Sequence, residues 1–129
     1  MKPKRILAAE AIPVRVVIIT LDNHLSSAVQ RSTQTLLREI PGLSIVLHAA
    51  TDWGDDPGRL AACRSDIGQA HIIIINLLVM EDHIKPILSD LVARREHCDA
   101  LVAAMSAGEV IRLTTLGSFQ MNKPQSGAI

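Results

Sequence analysis

The run His71-Ile72-Ile73-Ile74-Ile75-Asn76 constrains this chain more than any other stretch. Four consecutive isoleucines leave no alternation between apolar and polar positions. A strand with one wet face alternates, whereas a strand covered on both faces does not, and that is the habit of a parallel sheet held between helices. Isoleucine is stiff at its first side-chain torsion and packs well on a pleated surface, so it favours strand over helix. Residues 71–77 therefore read as a central strand walled in front and back. Polar residues gather directly beyond it, at Asn76, Glu81, Asp82 and His83. Open α/β sheets take their ligands at that carboxyl end of the strands.

The flanking segments fall into place around this strand. Val14 to Leu21 is a first strand, and Asp22 and Asn23 supply side-chain oxygens able to cap a helix over about 24–39. Pro41-Gly42 stops that helix, and Leu43 to Ala49 is a second strand. A loop rich in Asp and Gly, Thr51 to Gly58, carries Trp53 and leads into a helix over about 58–68. Ile84, Ile87, Leu88, Leu91 and Val92 mark a third helix, with Pro86 expected near its first turn. Asp99 to Ala104 is a fourth strand, and Ser106 reads as the cap of a short last helix burying Val110 and Ile111. The expectation is an α/β fold of three layers: a mostly parallel four-stranded sheet with helices on both faces, strand order 2-1-3-4, a flavodoxin-like half-fold. The organisation that follows is an N-terminal arm at 1–13, an α/β domain at 14–117, and a C-terminal tail or linker at 118–129 where the pattern dissolves.

Composition narrows the function classes. With 129 residues the chain is most simply one domain. One Trp, one Phe and no Tyr make the core aliphatic and leave no stacking platform for single-stranded nucleic acid. Thirteen bases balance thirteen acids, so no basic footprint for a phosphate backbone exists. The longest mostly apolar run, 72–80, falls far short of the roughly 20 residues a membrane span needs. Cys63 and Cys98 lack CxxC spacing and read as reduced thiols of a cytoplasmic protein. The basic start Met-Lys-Pro-Lys-Arg, interrupted by Glu10 and Pro13, reads as a solvated arm. Near-zero net charge with positive mean hydropathy leads one to expect association with a partner.

The order 2-1-3-4 places the switch point between strands one and three. Two loops meet there, Asp22-Asn23-His24 and Asn76 through His83, with Glu81 and Asp82 between. Two readings stay open for this lip: a metal or polar-ligand site, or a set of helix caps and solvated loop residues. Trp53 is open in the same way, as a contact for a partner or flat ligand, or as a lid on the core. The first loop lacks the glycines that pyrophosphate requires, and no P-loop occurs. Ser26 and Ser27 are first-turn serines or an anion contact. His48 and His71 read as structural or exposed, and His97-Cys98-Asp99 point alternately to opposite faces, unlike a nucleophile and its base. A phospho-acceptor receiver needs an Asp ending strand three, where this chain has Asn76.

Several stretches together resemble a known family. Val14-Arg15-Val16-Val17-Ile18-Ile19-Thr20-Leu21-Asp22-Asn23-His24-Leu25 is similar to the start of the large H subunit of magnesium chelatase. Leu43 to Ala50, the Trp53 loop, the isoleucine strand running into Met80-Glu81-Asp82-His83, Ala103-Ala104-Met105-Ser106, Arg112-Leu113-Thr114 and Gly117 to Met121 continue the likeness in order. The resemblance implies the N-terminal part of a much longer bacterial subunit that binds protoporphyrin IX, the substrate into which magnesium is inserted. It further implies AAA+ partner subunits that hydrolyse ATP, and a place in chlorophyll or bacteriochlorophyll synthesis. A related cobalt-inserting large subunit and a receiver-like ligand-binding domain are the alternatives. The resemblance carries no catalytic or metal residue onto this stretch, which is expected to act as a docking or access-shaping module.

Overall fold

The computed structural model describes residues 12–120. In chain order these are β1 (Val14–Thr20), α1 (Ser26–Leu36), β2 (Leu43–Ala49), α2 (Pro57–Ile67), β3 (Ile72–Asn76), α3 (Glu81–Arg95), β4 (Ala100–Ala104), α4 (Gly108–Ile111), β5 (Thr115–Leu116) and β6 (Phe119–Gln120). They build one sheet in the order β2-β1-β3-β4-β5-β6. The first four strands run parallel, and β5 and β6 are antiparallel. The order 2-1-3-4 is therefore present, but inside a six-stranded mixed sheet rather than a four-stranded one.

Of the extra strands, β5 closes the expected domain and β6 falls in the segment expected to begin the tail. Residues 118–120 do not leave the domain: Gly117, at φ +60°, turns the chain so that Leu116 faces Phe119 and Thr115 faces Gln120. Glycine at the first position of a two-residue hairpin matches the twist of its strands. Strands two residues long are too short to show a period of two, so the sequence pattern is silent there. Residues 1–11 of the expected arm, and 121–129 of the expected tail, lie outside the described residues.

Local chemistry explains most boundaries. Asp56 accepts the backbone N–H of Arg59 and Pro57 occupies the first position of α2, a favourable start on both counts. Gly42 is required where Ile12 and Pro13 cross it, because a Cβ there would collide with the Ile12 carbonyl. The Val14 N–H donates to the Gly42 carbonyl at 2.9 Å and sets β1 on β2. Pro86 lies in the second turn of α3 rather than the first, so one backbone bond of that helix is missing. Met80, not Asp82, is the N-cap of α3, and it makes no side-chain bond.

The two sheet faces are dressed unequally. Val17, Ile19, Ile73, Ile75, Leu101 and Ala103 point to one face, where Cys63 and Ile67 of α2, Ile84, Ile87 and Leu91 of α3, and Val110 of α4 complete the core. Each fully buried isoleucine there contributes roughly 1.5–3 kcal/mol. On the other face α1 lies over β1 and β2, with Leu25, Ala28, Val29 and Ser32 against Ile18 and Ile45. No residue of α1 is fully buried. Helices do occupy both faces, but the isoleucine run is walled on one side only: Ile73 and Ile75 are 0% exposed, while Ile74 is 37% exposed.

Candidate functional site

The carboxyl end of the sheet is formed by four strand exits, at Ala49, Thr20, Asn76 and Ala104, which are neighbours in register. Beyond β3 and β4 the chain enters the left-handed region at once, at Leu77 (φ 61°) and Met105 (φ 50°). A non-glycine residue in that region costs on the order of 1 kcal/mol and persists only where its surroundings hold it. Here the hold is visible. The Ser106 hydroxyl accepts the Leu78 N–H at 3.0 Å and donates to the Ala104 carbonyl at 2.9 Å, and the Ala107 N–H donates to the Leu78 carbonyl at 3.0 Å. The two loops are thereby laced together. Ser106 is thus a tie between loops and not the expected cap of α4, a helix that starts after Ala107 without a side-chain cap.

The lip residues divide into separate arrangements, with Asp82 exposed in the first turn of α3. Asp22 caps the short turn Asn23–Leu25, accepting the His24 N–H at 3.1 Å, and its carboxylate also meets the His24 ring. The His24 side-chain hydrogen bond holds the Asp22 carboxyl below its ordinary range. Glu81 pairs with Lys85 one turn along α3 at 3.4 Å, both of them well exposed. Asn76 is half-buried beside Thr20, whose buried hydroxyl has no hydrogen-bond partner among the described residues. His83 leans on Trp53, ring edge to ring face, with centroids 6.4 Å apart, and its buried Nδ1 has no hydrogen-bond partner among the described residues. Asn23 is exposed in the turn that Asp22 caps. Among the described residues, no three His, Cys, Asp or Glu converge closely enough to hold a metal ion.

Trp53, open between anchor and lid, is a lid: it is 7% exposed and belongs to the core. Beside it a cavity of about 210 Å³ is lined by residues that include His48, Asp52 and Arg59. That is below the roughly 300–1,000 Å³ of typical small-molecule sites. Arg59 donates to Asp52 at 2.9 Å across its mouth. His48 bonds Asp66 through Nε2 at 2.8 Å, and His71 accepts the Arg15 N–H on Nδ1 at 2.8 Å. Both histidines are structural. Burial raises the Cys98 thiol, and it raises Cys63 further, to about 12, so neither is a ready nucleophile. The sequence does not announce the buried Thr20 hydroxyl, the Ser106 tie or the two left-handed residues. Left-handed positions usually show themselves as Gly or Asn, and here they are Leu and Met.

The profile of a domain of unknown function, DUF3479, matches residues 15–129. The chain belongs to the DUF3479 family. This DUF3479 chain is 41% identical over 112 residues to the magnesium-chelatase H subunit of Cereibacter sphaeroides, a match that covers 87% of the chain and 9% of that subunit. It is 37% identical to the H subunit of Rhodobacter capsulatus over the same shares. The chloroplastic ChlH subunit of Oryza sativa subsp. indica is 26% identical over 113 residues, 85% of the chain and 8% of the subunit. The resemblance to the N-terminal region of the H subunit thus stands, and the chain spans about a tenth of the length of these relatives. Among the described residues, no helix is long and apolar enough to cross a membrane.

Proposed function

We propose that this DUF3479 chain is a module of a bacterial, cytoplasmic magnesium-chelatase H subunit, which docks on the remainder of that subunit and shapes access to its porphyrin without chemistry of its own. The observation that carries this reading is the 41% identity over 87% of the chain to a subunit about ten times as long. In the reaction of the whole assembly, protoporphyrin IX and magnesium are the substrates, and ATP is hydrolysed by AAA+ partner subunits. Magnesium dehydrates reluctantly and needs oxygen ligands placed nearly octahedrally. Two of the three carboxylates of this lip have other duties: Asp22 caps a turn and meets His24, and Glu81 meets Lys85, and among the described residues no three His, Cys, Asp or Glu converge on a metal-sized site. Metal insertion is therefore assigned to the rest of the subunit. The laced loops after β3 and β4 give the module a rigid carboxyl end that can brace a neighbouring domain.

The test is a chimera. The matching segment of the Cereibacter sphaeroides H subunit is replaced by this chain, and magnesium protoporphyrin formation is followed by fluorescence with the partner subunits and ATP present. The chimera is expected to retain activity, whereas deleting the segment lowers it at least tenfold, a loss of about 1.4 kcal/mol. Equal activity of the deletion and the parent subunit would remove the proposed role.

A further inference from the structure

The sequence of β3 is composed for two covered faces, yet the described fold covers one. On the α1 side, beyond the reach of α1, the described strands carry Ile72, Ile74, Ala100, Val102, Leu116 and Phe119, with Asn76 and Ala104 at the carboxyl end, and no charged side chain. Ile74 and Val102 are 37% and 36% exposed, and Leu116 and Phe119 are 58% and 43% exposed. Their arrangement has a shape. The β4 residues on this face form a shallow trough beside Ile72 and Ile74 of β3, flanked at its Ala100 end by Leu116 and Phe119, which lie opposite one another on β5 and β6. Two strand spacings separate β3 from β5, about 10 Å, which is the width of one α-helix. At that end the trough is wide enough for a helix, and no charged side chain of these strands lines it. The α1 flank turned away from the β2 side is open as well, with a groove of about 350 Å³ along Arg31, Ser32, Thr35 and Leu36, against which a second helix would pack.

We infer that this trough over β4 seats an aliphatic α-helix supplied by the part of the H subunit outside this chain. The inference rests on the module reading above. Parallel sheets are found almost always with helices on both faces, and the face opposite already has α2 and α3. The matched region is 9% of the relative's length, so most of that polypeptide is available to provide the helix. A charged contact face is disfavoured directly over Ile74 and Val102, where it would bury its charge against apolar side chains.

The experiment titrates this chain into a Cereibacter sphaeroides H subunit from which the matching segment has been deleted, with binding read by calorimetry. Val102→Glu and Leu116→Lys are compared with Val92→Glu, at a half-exposed site on α3, the helix on the opposite face of the sheet. Circular dichroism checks that each variant is folded, and Leu116 is open enough to tolerate lysine. The expected result is that the parent chain and Val92→Glu bind alike, while Val102→Glu and Leu116→Lys each weaken binding at least tenfold. If those two variants bind as the parent does, the inference falls and the module reading stands. If the parent chain does not bind at all, the module reading itself falls, and the inference with it. Sedimentation showing a self-associated chain split by the same two substitutions would give the trough to a second copy. A shift in protoporphyrin absorption abolished by them would give it to a flat ligand. Either result overturns the helix.

Discussion

The two faces of one sheet differ here in a way that separates what makes the domain fold from what it leaves free. On the α2–α3 face, Ile73, Ile75, Ile87 and Leu91 are sealed, and the Arg94 guanidinium closes the lower end with two bonds to the Ala70 carbonyl at 2.9 and 3.0 Å. On the α1 face, the same strand presents Ile74 half-open, and α1 itself buries nothing completely. Adjacent residues of identical chemistry thus do different work. The sealed face supplies the cohesion of the domain, and the open face holds apolar surface in reserve.

The largest effect expected from this contrast is a pair of substitutions one residue apart. Ile75→Ala leaves a cavity in a sealed core and is expected to cost about 3 kcal/mol in urea unfolding. Ile74→Ala removes carbon that is already partly wet and is expected to cost about 1 kcal/mol. Equal losses at the two positions would break the comparison, because they would mean that the outer face is as tightly packed as the inner one.

A smaller effect reads the sealed face through its thiol. Burial between α2 and the sheet raises Cys63 to about 12, with the Asp66 and Asp90 carboxylates acting in the same direction. In the unfolded chain a thiol ionises near 8.5. Below that value both states keep the proton, and the stabilising contribution is complete. Above it the unfolded state releases a proton that the folded state retains, so stability falls by about 1.4 kcal/mol per pH unit until the folded thiol itself ionises. Urea midpoints measured from pH 8 to pH 10 are expected to show this slope, and the absence of Tyr keeps that range simple to interpret. Cys63→Ala is expected to remove most of the slope. The half-buried Cys98, also raised by burial, contributes in the same sense, and alkylation is expected to reach it before Cys63.

Legibility in the sequence follows the length of the signal. Four isoleucines and the spacing of Ile84, Ile87 and Leu91 span enough residues to fix a strand and a helix, and right-handed crossovers then fix the order of the first four strands. The hairpin of β5 and β6 stays hidden because each strand is only two residues long. Ser106 reads as a helix cap because a serine before a helix looks the same in sequence whether it caps that helix or binds a loop from another strand. The lip residues are legible as a neighbourhood, but their pairings depend on side-chain directions that the sequence does not carry. Asp22 turns to His24, Glu81 to Lys85 and His83 to Trp53. The unbroken isoleucine run implies cover on both faces, and the described fold supplies only one. The sequence pattern in this instance reports a demand that the domain does not meet within itself.

The smallest expected effect tests that demand directly. Threonine matches valine in shape and replaces a methyl group with a hydroxyl, so Val→Thr reports whether a site is dry. At Val17, on the sealed face, the hydroxyl would be buried and is expected to cost roughly 1–3 kcal/mol. At Val102, 36% exposed, the hydroxyl reaches water and the change in stability of the isolated chain is expected within about 0.5 kcal/mol. If a helix from the rest of the subunit seals the trough, the Val102→Thr penalty should appear on assembly: the chain unfolds as before but binds the truncated subunit more weakly. A Val102→Thr penalty in the isolated chain as large as that at Val17 would show the face already dry, and the contrast between the two faces would disappear.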